Sequence, residues 1–295
     1  SVTLPFSSRM SGTRSASTKL DASSDFTTLS SVVSVSRAVA MSMVVKANRV
    51  DSSIGGTVEA YVGSHGSIDA STGAVSVKAT SSETAKVNAY GIAVSGGISA
   101  AAIGVSLGDA SITGTTTAYI GGAVTRAGSL TVQAKDTSIA SAQTFALAGG
   151  VAAFGAAGAG ARATAKSAPT MRAYIDAAVG ADTSPISGDV IVRSISIGEA
   201  RAEALGVAFT TFASVAGSVA KVDVNPNVRT YIGGGGTVWA TGSVILESLH
   251  NYDVDATDAA NLTRVSRESK ANATSGAGSL VSGAGSDARA IGTPN

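Results

Sequence analysis

Apolar and polar residues alternate strictly over a short stretch near position 60, and the same alternation returns three more times. Val58, Ala60 and Val62 form one face of this stretch, whereas Glu59 and Tyr61 form the other. The equivalent stretches are 116–120, 171–175 and 228–232. Strict alternation is typical of a strand that buries one face. Because each tyrosine shares its face with a glutamate, threonine or arginine, we expect the tyrosine to point outward.

The four stretches carry a common motif at a nearly constant spacing. It reads Ala-Tyr-Val-Gly, Ala-Tyr-Ile-Gly, Ala-Tyr-Ile-Asp and Thr-Tyr-Ile-Gly, with its tyrosines at Tyr61, Tyr119, Tyr174 and Tyr231. Successive tyrosines lie 58, 55 and 57 positions apart. A fifth stretch without the tyrosine, 288–292, falls where the next copy is due. Self-similarity at a fixed period predicts a repeat architecture.

Each repeat continues with further strand signals in a constant order. A glycine-rich turn follows the tyrosine strand, and a short apolar strand then begins just after a glycine, as at Gly73 and Gly128. A longer stretch alternates small with large residues, as in 89–95 and 142–148. Pro169 stands shortly before the next tyrosine strand, where proline suits a corner better than a central strand position. We therefore expect four or five short strands per repeat.

This pattern predicts an all-β protein, a parallel β-solenoid built from repeats of about 57 residues. Because a solenoid coil commonly takes roughly 20–30 residues, we expect two coils per repeat. Equivalent strands would then stack in parallel, about 4.8 Å apart. The alternative is one hairpin-based β-sandwich per repeat. The chain lacks the Asn-Gly and Asp-Gly pairs that mark the tightest hairpins, which favours the solenoid.

The repeat boundaries follow from the tyrosine motif. Residues 1–57 are the least regular part and are predicted to form an irregular N-terminal repeat or cap, with a polar loop at 7–15 and a strand-like run at 32–45. The predicted repeats are 58–115, 116–170, 171–227 and 228–287, and 288–295 begins a degenerate fifth. Each repeat is expected to pack only on its neighbours.

Composition sharpens this picture. Hydrophobic residues make up 44% but aromatics only 4%, and there are 35 glycines, so we expect thin layers in close contact. A net charge of +1 gives no electrostatic case for nucleic acid. Charged residues are only 14%, which leaves neutral surfaces that favour self-association.

The absence of cysteine excludes disulfides and thiolate chemistry. The chain starts at Ser1 without a leader, so we expect a processed product or a segment of a longer protein.

The tyrosine motifs and the strands that follow them resemble the long repetitive surface proteins of Gram-negative bacteria. The resemblance is to filamentous-haemagglutinin-like adhesins, most closely to leukotoxin-type filamentous adhesins with Ala-Tyr-Ile-Gly repeats. It covers about residues 58–248, and 249–295 more weakly. It implies an exported, elongated, right-handed β-solenoid at the bacterial cell surface, used for adhesion, matrix or filament formation. It supplies no catalytic residues, and neither the secretion domain nor a membrane anchor of such adhesins is evident in the sequence.

The strongest ligand-binding candidates are the outward tyrosines, Tyr61, Tyr119, Tyr174 and Tyr231. Outward aromatic rings at a regular spacing can stack on sugar rings or on a second filament. Cross-strand aromatic packing also stabilises a sheet by itself. We favour this structural role over ligand binding.

Two uncharged runs, 87–108 and 137–161, are long enough to span a bilayer. The equivalent stretch of the third repeat carries Arg201 and Glu203. A repeat unit that crosses a membrane in two copies would not be charged in the next, so we expect no membrane insertion.

No pattern of catalytic or metal-binding residues emerges from the sequence. The oxygen-bearing residues of 223–227 and 253–258 are interpreted as solvated strand edges rather than a calcium site, because no EF-hand loop is present. His65 and His250 fall at unmatched positions of different repeats. We therefore expect no enzymatic activity, no catalytic residue, no metal site and no cofactor.

Three hypotheses of function remain. The first is a structural extracellular protein that forms or decorates a surface filament or biofilm matrix, with copies of itself as partners, joined end to end or laterally. The second is an adhesin module that binds host or neighbouring-cell glycans through its tyrosines. The third, remote hypothesis is a β-helix enzyme acting on polysaccharide, with a site built from residues such as Asp176, Arg172 and Arg193.

Overall fold

A computed structural model of the chain describes residues 18–39, 43–96, 99–151, 154–254 and 262–292. These residues form an all-β structure, as predicted, and contain no helix. The strands are β1 (Thr18–Val39), β2 (Met43–Ile54), β3 (Thr57–Val62), β4 (Ser67–Asp69), β5 (Ala74–Gly96), β6 (Ser99–Ile112), β7 (Thr115–Ile120), β8 (Ala123–Arg126), β9 (Ser129–Val151), β10 (Phe154–Ser167), β11 (Thr170–Ile175), β12 (Ala178–Val179), β13 (Val190–Phe209), β14 (Ala213–Val224), β15 (Asn227–Ile232), β16 (Thr237–Val238), β17 (Val244–His250), β18 (Tyr252–Val254), β19 (Leu262–Arg264), β20 (Lys270–Gly278) and β21 (Val281–Gly292).

Equivalent strands of successive repeats pair in parallel and build four sheets. Sheet A contains the long strands in the order β1-β5-β9-β13-β17, with β20 also paired to β13. Sheet B has the order β2-β6-β10-β14-β21, sheet C contains the tyrosine strands β3, β7, β11 and β15, and sheet D contains the short strands β4, β8, β12 and β16. Within the described ranges the one antiparallel strand pair is β18–β19. The repeats 58–115, 116–170 and 171–227 thus each contribute one strand to each sheet.

The expectation of two coils per repeat is wrong. Two coils would pair strands about half a repeat apart, whereas Tyr61 pairs with Tyr119 and Ala89 with Thr144. The reason is the length of the sheet A strands, which reach 23 residues in β5 and β9. The sequence predicts two separate strands here, one after Gly73 and one at 89–95, but Ser81 and Glu83 between them are buried within one continuous strand. Parallel pairing also rules out a hairpin-based sandwich in each repeat.

Two apolar cores lie inside the four sheets. The first lies between sheets C and D and the first half of each long strand, and it contains large side chains such as Ile120, Leu130 and Met171. The second lies between sheet B and the second half of each long strand, and it consists mostly of alanine. In the second half of the long strands, small residues therefore mostly face inward, and large residues such as Tyr90 face outward.

Sheets A and B approach each other so closely that glycine is required between them. A Cβ atom on Gly104 would lie 2.7 Å from the carbonyl oxygen of Leu147, and one on Gly91 would lie 2.9 Å from that of Val105. Such distances are below any real Cβ contact, so only glycine fits. This confirms the expectation, drawn from the alanine and glycine content, of thin layers in close contact.

The corners between sheets also follow the sequence prediction. Pro169 lies in the short connection between β10 and β11. Gly128 precedes β9, and a Cβ atom there would lie 2.1 Å from the carbonyl oxygen of Thr72 in the preceding repeat. The corners are therefore stacked on one another, repeat on repeat.

The N-terminal segment is more regular than its sequence suggests. β1 pairs along its whole length with β5, and β2 pairs with β6. The predicted polar loop at 7–15 lies outside the described residues.

The uncharged runs 87–108 and 137–161 fall in the strands of sheets A and B on either side of the alanine core. The described part of the chain contains no helix long and apolar enough to cross a bilayer.

The last repeat departs from the others, and the fifth tyrosine-like stretch is not a tyrosine strand. Val190 pairs with Val244, 54 positions later, but Arg201 pairs with Lys270, 69 positions later. The additional residues interrupt the long strand and include β18 and β19. They shift the following chain, so 288–292 lies in β21 and pairs with β14 of sheet B.

Candidate functional site: the tyrosine ladder

The tyrosine strands place four tyrosines side by side on the outside of sheet C. Tyr61 pairs with Tyr119, Tyr119 with Tyr174, and Tyr174 with Tyr231. The residues on either side of each tyrosine point inward, and Ala118 and Ile120, for example, are completely buried. The predicted division between inward alanine and isoleucine and outward tyrosine is therefore confirmed. We call the four rings the tyrosine ladder.

The rings of the tyrosine ladder are stacked face to face and nearly parallel. Their centroids are 4.9, 4.8 and 4.9 Å apart, and their planes differ by 5°, 2° and 2°. The spacing equals the distance between neighbouring strands, about 4.8 Å. Both faces of Tyr119 and of Tyr174 are thus covered by neighbouring rings.

This geometry limits what the tyrosine ladder can bind. A sugar cannot stack on either face of Tyr119 or Tyr174, because a tyrosine already occupies each position. The hydroxyl groups and ring edges remain accessible, since these side chains are half-buried and Tyr231 is 39% exposed. A ligand would have to contact this edge. Ligand binding by the tyrosine ladder, at Tyr61, Tyr119, Tyr174 and Tyr231, stays a prediction.

Stacking also affects the ionisation of the ladder. Burial, followed by the neighbouring Tyr119 and Tyr231, raises the pKa of Tyr174 to about 12. Burial likewise raises the pKa of Tyr119. The two central hydroxyls therefore stay protonated at physiological pH, and each can donate a hydrogen bond as well as accept one.

A row of polar residues lies beside the tyrosine ladder on the same outward face. It runs Glu59, Thr117, Arg172 and Arg229 in the register of sheet C. The charge of this row changes from negative at the first strand to positive at the last two. The accessible surface is thus a strip of tyrosine edges flanked by charges of both signs.

Buried polar residues attach each tyrosine strand, or the corner before it, to the long strands of sheet A. The Ser81 Oγ lies 2.7 Å from the Thr116 Oγ1 of β7 and donates to Asp136 Oδ1 at 2.6 Å. In the next repeats Ser138 bonds to Ser167 at 2.8 Å, and Ser194 Oγ donates to the Arg229 carbonyl at 2.6 Å. These groups, together with Glu83, lie at the junction of the two cores, and we call them the polar seam: Ser81, Glu83, Asp136, Ser138 and Ser194.

Two carboxyl groups of the polar seam are shielded from water, with Glu83 and Asp136 each only 1% exposed. Burial, and then the proximity of Asp136, raises the pKa of Glu83 to about 8 despite a hydrogen bond from the Gly114 N–H. Burial raises the pKa of Asp136 to about 6, although Ser81 and Ser138 donate to it. Because neither carboxyl reaches the surface, the pair contributes to structure and is not open to a substrate.

The residues named for an enzyme site lie on different surfaces. Arg172 is on the outer face of sheet C, and Asp176 is in the following turn, where its Oδ1 accepts a hydrogen bond from the Gly235 N–H at 3.2 Å. Arg193 belongs to sheet A, is 3% exposed and is paired with Glu247. Arg193 is thus already bound in a largely buried ion pair.

The other sequence candidates do not converge on a metal site within the described ranges. No group of three or more His, Asp or Glu residues in that part of the chain is placed to hold a metal. Asp253 is paired with Lys135 at 2.7 Å, whereas Asp255 and Asp258 lie outside the described residues. His65 is exposed in the turn after β3, and His250 is half-buried at the end of β17.

Sequence reasoning missed the segment that follows β17. It covers part of the outer face of sheet A, where Ile195 and Ile197 become buried. Ion pairs link it to sheet A, from Asp253 to Lys135 and from Arg267 to Glu199 at 3.2 Å. The signal in the sequence is the additional length of the last repeat together with its concentration of charged residues.

No protein-family model, no curated protein sequence and no solved structure matches this chain.

Proposed function

We propose that this chain is a structural extracellular protein, a right-handed parallel β-solenoid with one coil per repeat, that forms or decorates a filament or matrix at a bacterial cell surface. The observation that carries the proposal is the shared register of sheets A, B, C and D. In all four, a strand pairs with its equivalent one repeat later. A chain that winds through four sheets in this way grows along one axis and presents the same surfaces at every turn.

The surfaces suit assembly better than catalysis. Large apolar side chains are exposed along one edge, at or next to the strand ends where sheets A and B are connected, with Val151 77%, Phe154 69% and Leu280 85% exposed. Exposed apolar groups that recur along one edge are typical of interaction surfaces. Adhesion through the flanks of the solenoid follows from this distribution. The location at a bacterial cell surface rests on the resemblance to filamentous adhesins.

Electron microscopy and diffraction of the purified chain test this function. We expect rods or filaments, and a strong reflection near 4.8 Å along the long axis, since that is the spacing of stacked parallel strands. Compact particles without this axial reflection would contradict the proposal.

A second candidate function, glycan binding, is favoured by the hydroxyl groups along the edge of the tyrosine ladder. We expect the double substitution of Tyr119→Phe and Tyr174→Phe to weaken binding on a glycan array while it preserves the stacked rings. Tyr90→Phe, on the outer face of sheet A, is the matched control. Equal binding by all three proteins would exclude the ladder as the glycan site.

A further inference from the structure

The outer face of sheet B is rich in glycine and largely uncharged near the connection to sheet A. Its projecting apolar side chains include Ile103, 38% exposed, Val215, 65% exposed, and Val281, 63% exposed. Glycines occupy neighbouring positions in the paired strands: Gly158, Gly160, Gly217, Gly283 and Gly285. The face thus offers a smooth apolar surface whose small residues allow another sheet to approach closely.

Charged residues cross the same face in a graded order. One row of paired residues contains two acids, a threonine and two bases, from the first strand to the last: Asp51, Asp109, Thr164, Lys221 and Arg289. The charge therefore changes from negative at β2 and β6 to positive at β14 and β21. All five side chains lie on the outward face, and none of them is buried.

The adjacent row has the opposite gradient. It runs Arg49, Leu107, Arg162, Val219 and Asp287, with bases at β2 and β10 and an acid at β21. Arg49 contacts Asp51 at 3.0 Å and Asp109 at 3.7 Å, yet its side chain stays 66% exposed. The charges at the two ends of the face are therefore accessible to a partner.

We propose that the outer face of sheet B binds the same face of a second copy of this chain, with the two stacks running in opposite directions. A twofold axis parallel to the strands and centred on β10 then places Asp109 opposite Lys221 and Asp51 opposite Arg289. Thr164 meets Thr164 of the other copy on the axis. This inference deepens the proposed filament function and rests on it, because it names the lateral contact between filament subunits.

Both the charges and the shapes favour the antiparallel arrangement. A parallel arrangement with its axis in this row would place Asp109 against Asp109 and Lys221 against Lys221, and like charges in contact oppose association. A parallel arrangement with its axis between the two rows would place Asp109 against Leu107 and Lys221 against Val219, which leaves both charges without a charged partner. In the antiparallel arrangement Arg49 also faces Asp287. The Val105 side chain faces the open position above Gly217. Arg162 and Lys166 each face their own copy on the axis, and both long side chains are exposed and can turn aside.

The size of the face is adequate for a stable contact. Five strands about 4.8 Å apart, each of at least 12 residues, give a surface of about 40 by 20 Å, or about 800 Å² per copy. About 800 Å² per partner is the standard size of a specific interface. A second copy is therefore large enough, and complementary enough in charge, to occupy the face.

Cross-linking tests the axis of this dimer. Because the chain has no cysteine, Thr164→Cys introduces a single thiol on the proposed axis, and Ser141→Cys introduces one on the outer face of sheet A as the matched control. We expect a short bis-maleimide to convert most of the Thr164→Cys protein, and little of the control, to covalent dimer. Efficient cross-linking of the control with none at Thr164 would overturn the proposal.

Charge reversal tests the direction. Sedimentation should show that Asp109→Lys and Lys221→Glu each weaken dimerisation about tenfold or more, since the twofold axis makes each substitution act twice. The double variant should recover most of that affinity, because its contacts are again between opposite charges. Lys86→Glu, on the outer face of sheet A, should have no effect. A double variant weaker than both single variants would overturn the antiparallel contact.

The result also separates this contact from the function on which it rests. Rods seen by electron microscopy without cross-linking at Thr164 would leave the solenoid function standing and reject the dimer. Absence of both rods and the 4.8 Å reflection would reject the proposed function itself.

Discussion

At the scale of single residues, the tyrosine ladder shows how an outward side chain stabilises a repeat without entering the core. Each ring covers a face of the next ring, and neither Tyr119 nor Tyr174 has a free face. A stacked aromatic pair contributes about 0.5–1.5 kcal/mol beyond the area that it buries. The ladder therefore acts as a continuous column along sheet C. Its inner tyrosines, Tyr119 and Tyr174, contribute more to stability than the two at its ends.

We predict that Tyr119→Ala lowers the free energy of unfolding by about 1–3 kcal/mol, because it removes two stacked pairs. Tyr61→Ala removes one described pair and should cost about half as much. Tyr119→Phe should retain most of the stability, since the ring remains. Urea denaturation followed by circular dichroism measures all three, and equal losses for Tyr61→Ala and Tyr119→Ala would contradict the column.

The polar seam predicts a loss of stability in alkali. The pKa of Glu83 is raised from 4.5 to about 8 in the folded chain, so the folded state holds a proton that the unfolded state releases near pH 4.5. The contribution of protonated Glu83 to the free energy of unfolding is fully present below about pH 4.5 and disappears as the pH rises through about 8.

We expect the denaturation midpoint of the native chain to fall between pH 6 and 8, and that of Glu83→Gln to stay nearly constant. Glutamine retains an acceptor for the Gly114 N–H and has no proton to release. Asp136, with its pKa raised to about 6, adds a similar fall at lower pH in both proteins. A Glu83→Gln variant that loses stability as steeply as the native chain over pH 6–8 would contradict this role.

At the scale of the elements, the contact between sheets A and B depends on glycine on the inner face of the sheets, as at Gly104 of β6, and not on the outer face of sheet B, as at Gly158 of β10. We predict that Gly104→Ala destabilises the chain by about 1–3 kcal/mol, as overpacking does, because its Cβ would lie 2.7 Å from the Leu147 carbonyl.

Gly158→Ala is the matched control on the outer face of sheet B. Its nearest neighbour, a side-chain carbon of Ile103, is 3.9 Å from the new Cβ, so the substitution should be nearly neutral for the free energy of unfolding. The comparison uses thermal denaturation of both variants. Equal destabilisation would show that glycine serves chain conformation there rather than the approach of the sheets.

The sequence predicted some of these elements well and others poorly, for physical reasons. The tyrosine strands were predictable because each alternates alanine and isoleucine with tyrosine and a polar residue. The long strands were not, since Ser81 and Glu83 have the polarity of a turn and are buried only because Thr116 of sheet C and Gly114 of the corner before it bind them. That interaction depends on residues more than 30 positions away, which a local pattern cannot reveal. The stacking that covers the faces of Tyr119 is likewise visible only once the register is known.

At the scale of the whole molecule, the repeats 58–115, 116–170 and 171–227 are exchangeable, because each contributes one strand to each sheet. Deletion of 116–170 joins Thr115 to Met171. Thr115 is equivalent to Thr170, which precedes Met171 in the intact chain, so the joined strand keeps the register of sheet C. We predict a folded, shorter protein with an unchanged circular dichroism spectrum per residue, in which Tyr61 stacks directly on Tyr174.

Deletion of half a repeat, 116–143, is the matched control. It joins a tyrosine strand to the middle of a long strand, so the following residues lose their partners in all four sheets, and we expect an unfolded or aggregated chain. Two coils per repeat would instead tolerate this half deletion, and a well-folded half-deletion variant would therefore contradict the pairing described above.

The tyrosine ladder also makes register optically visible. Parallel rings 4.8–4.9 Å apart are close enough for their electronic transitions to couple, which gives the near-ultraviolet circular dichroism of the chain a sign and intensity that isolated tyrosines lack. A slip of one strand by a single residue would turn its tyrosine inward and uncouple the rings on either side. Near-ultraviolet circular dichroism should therefore report whether the tyrosine strands have paired in the correct register.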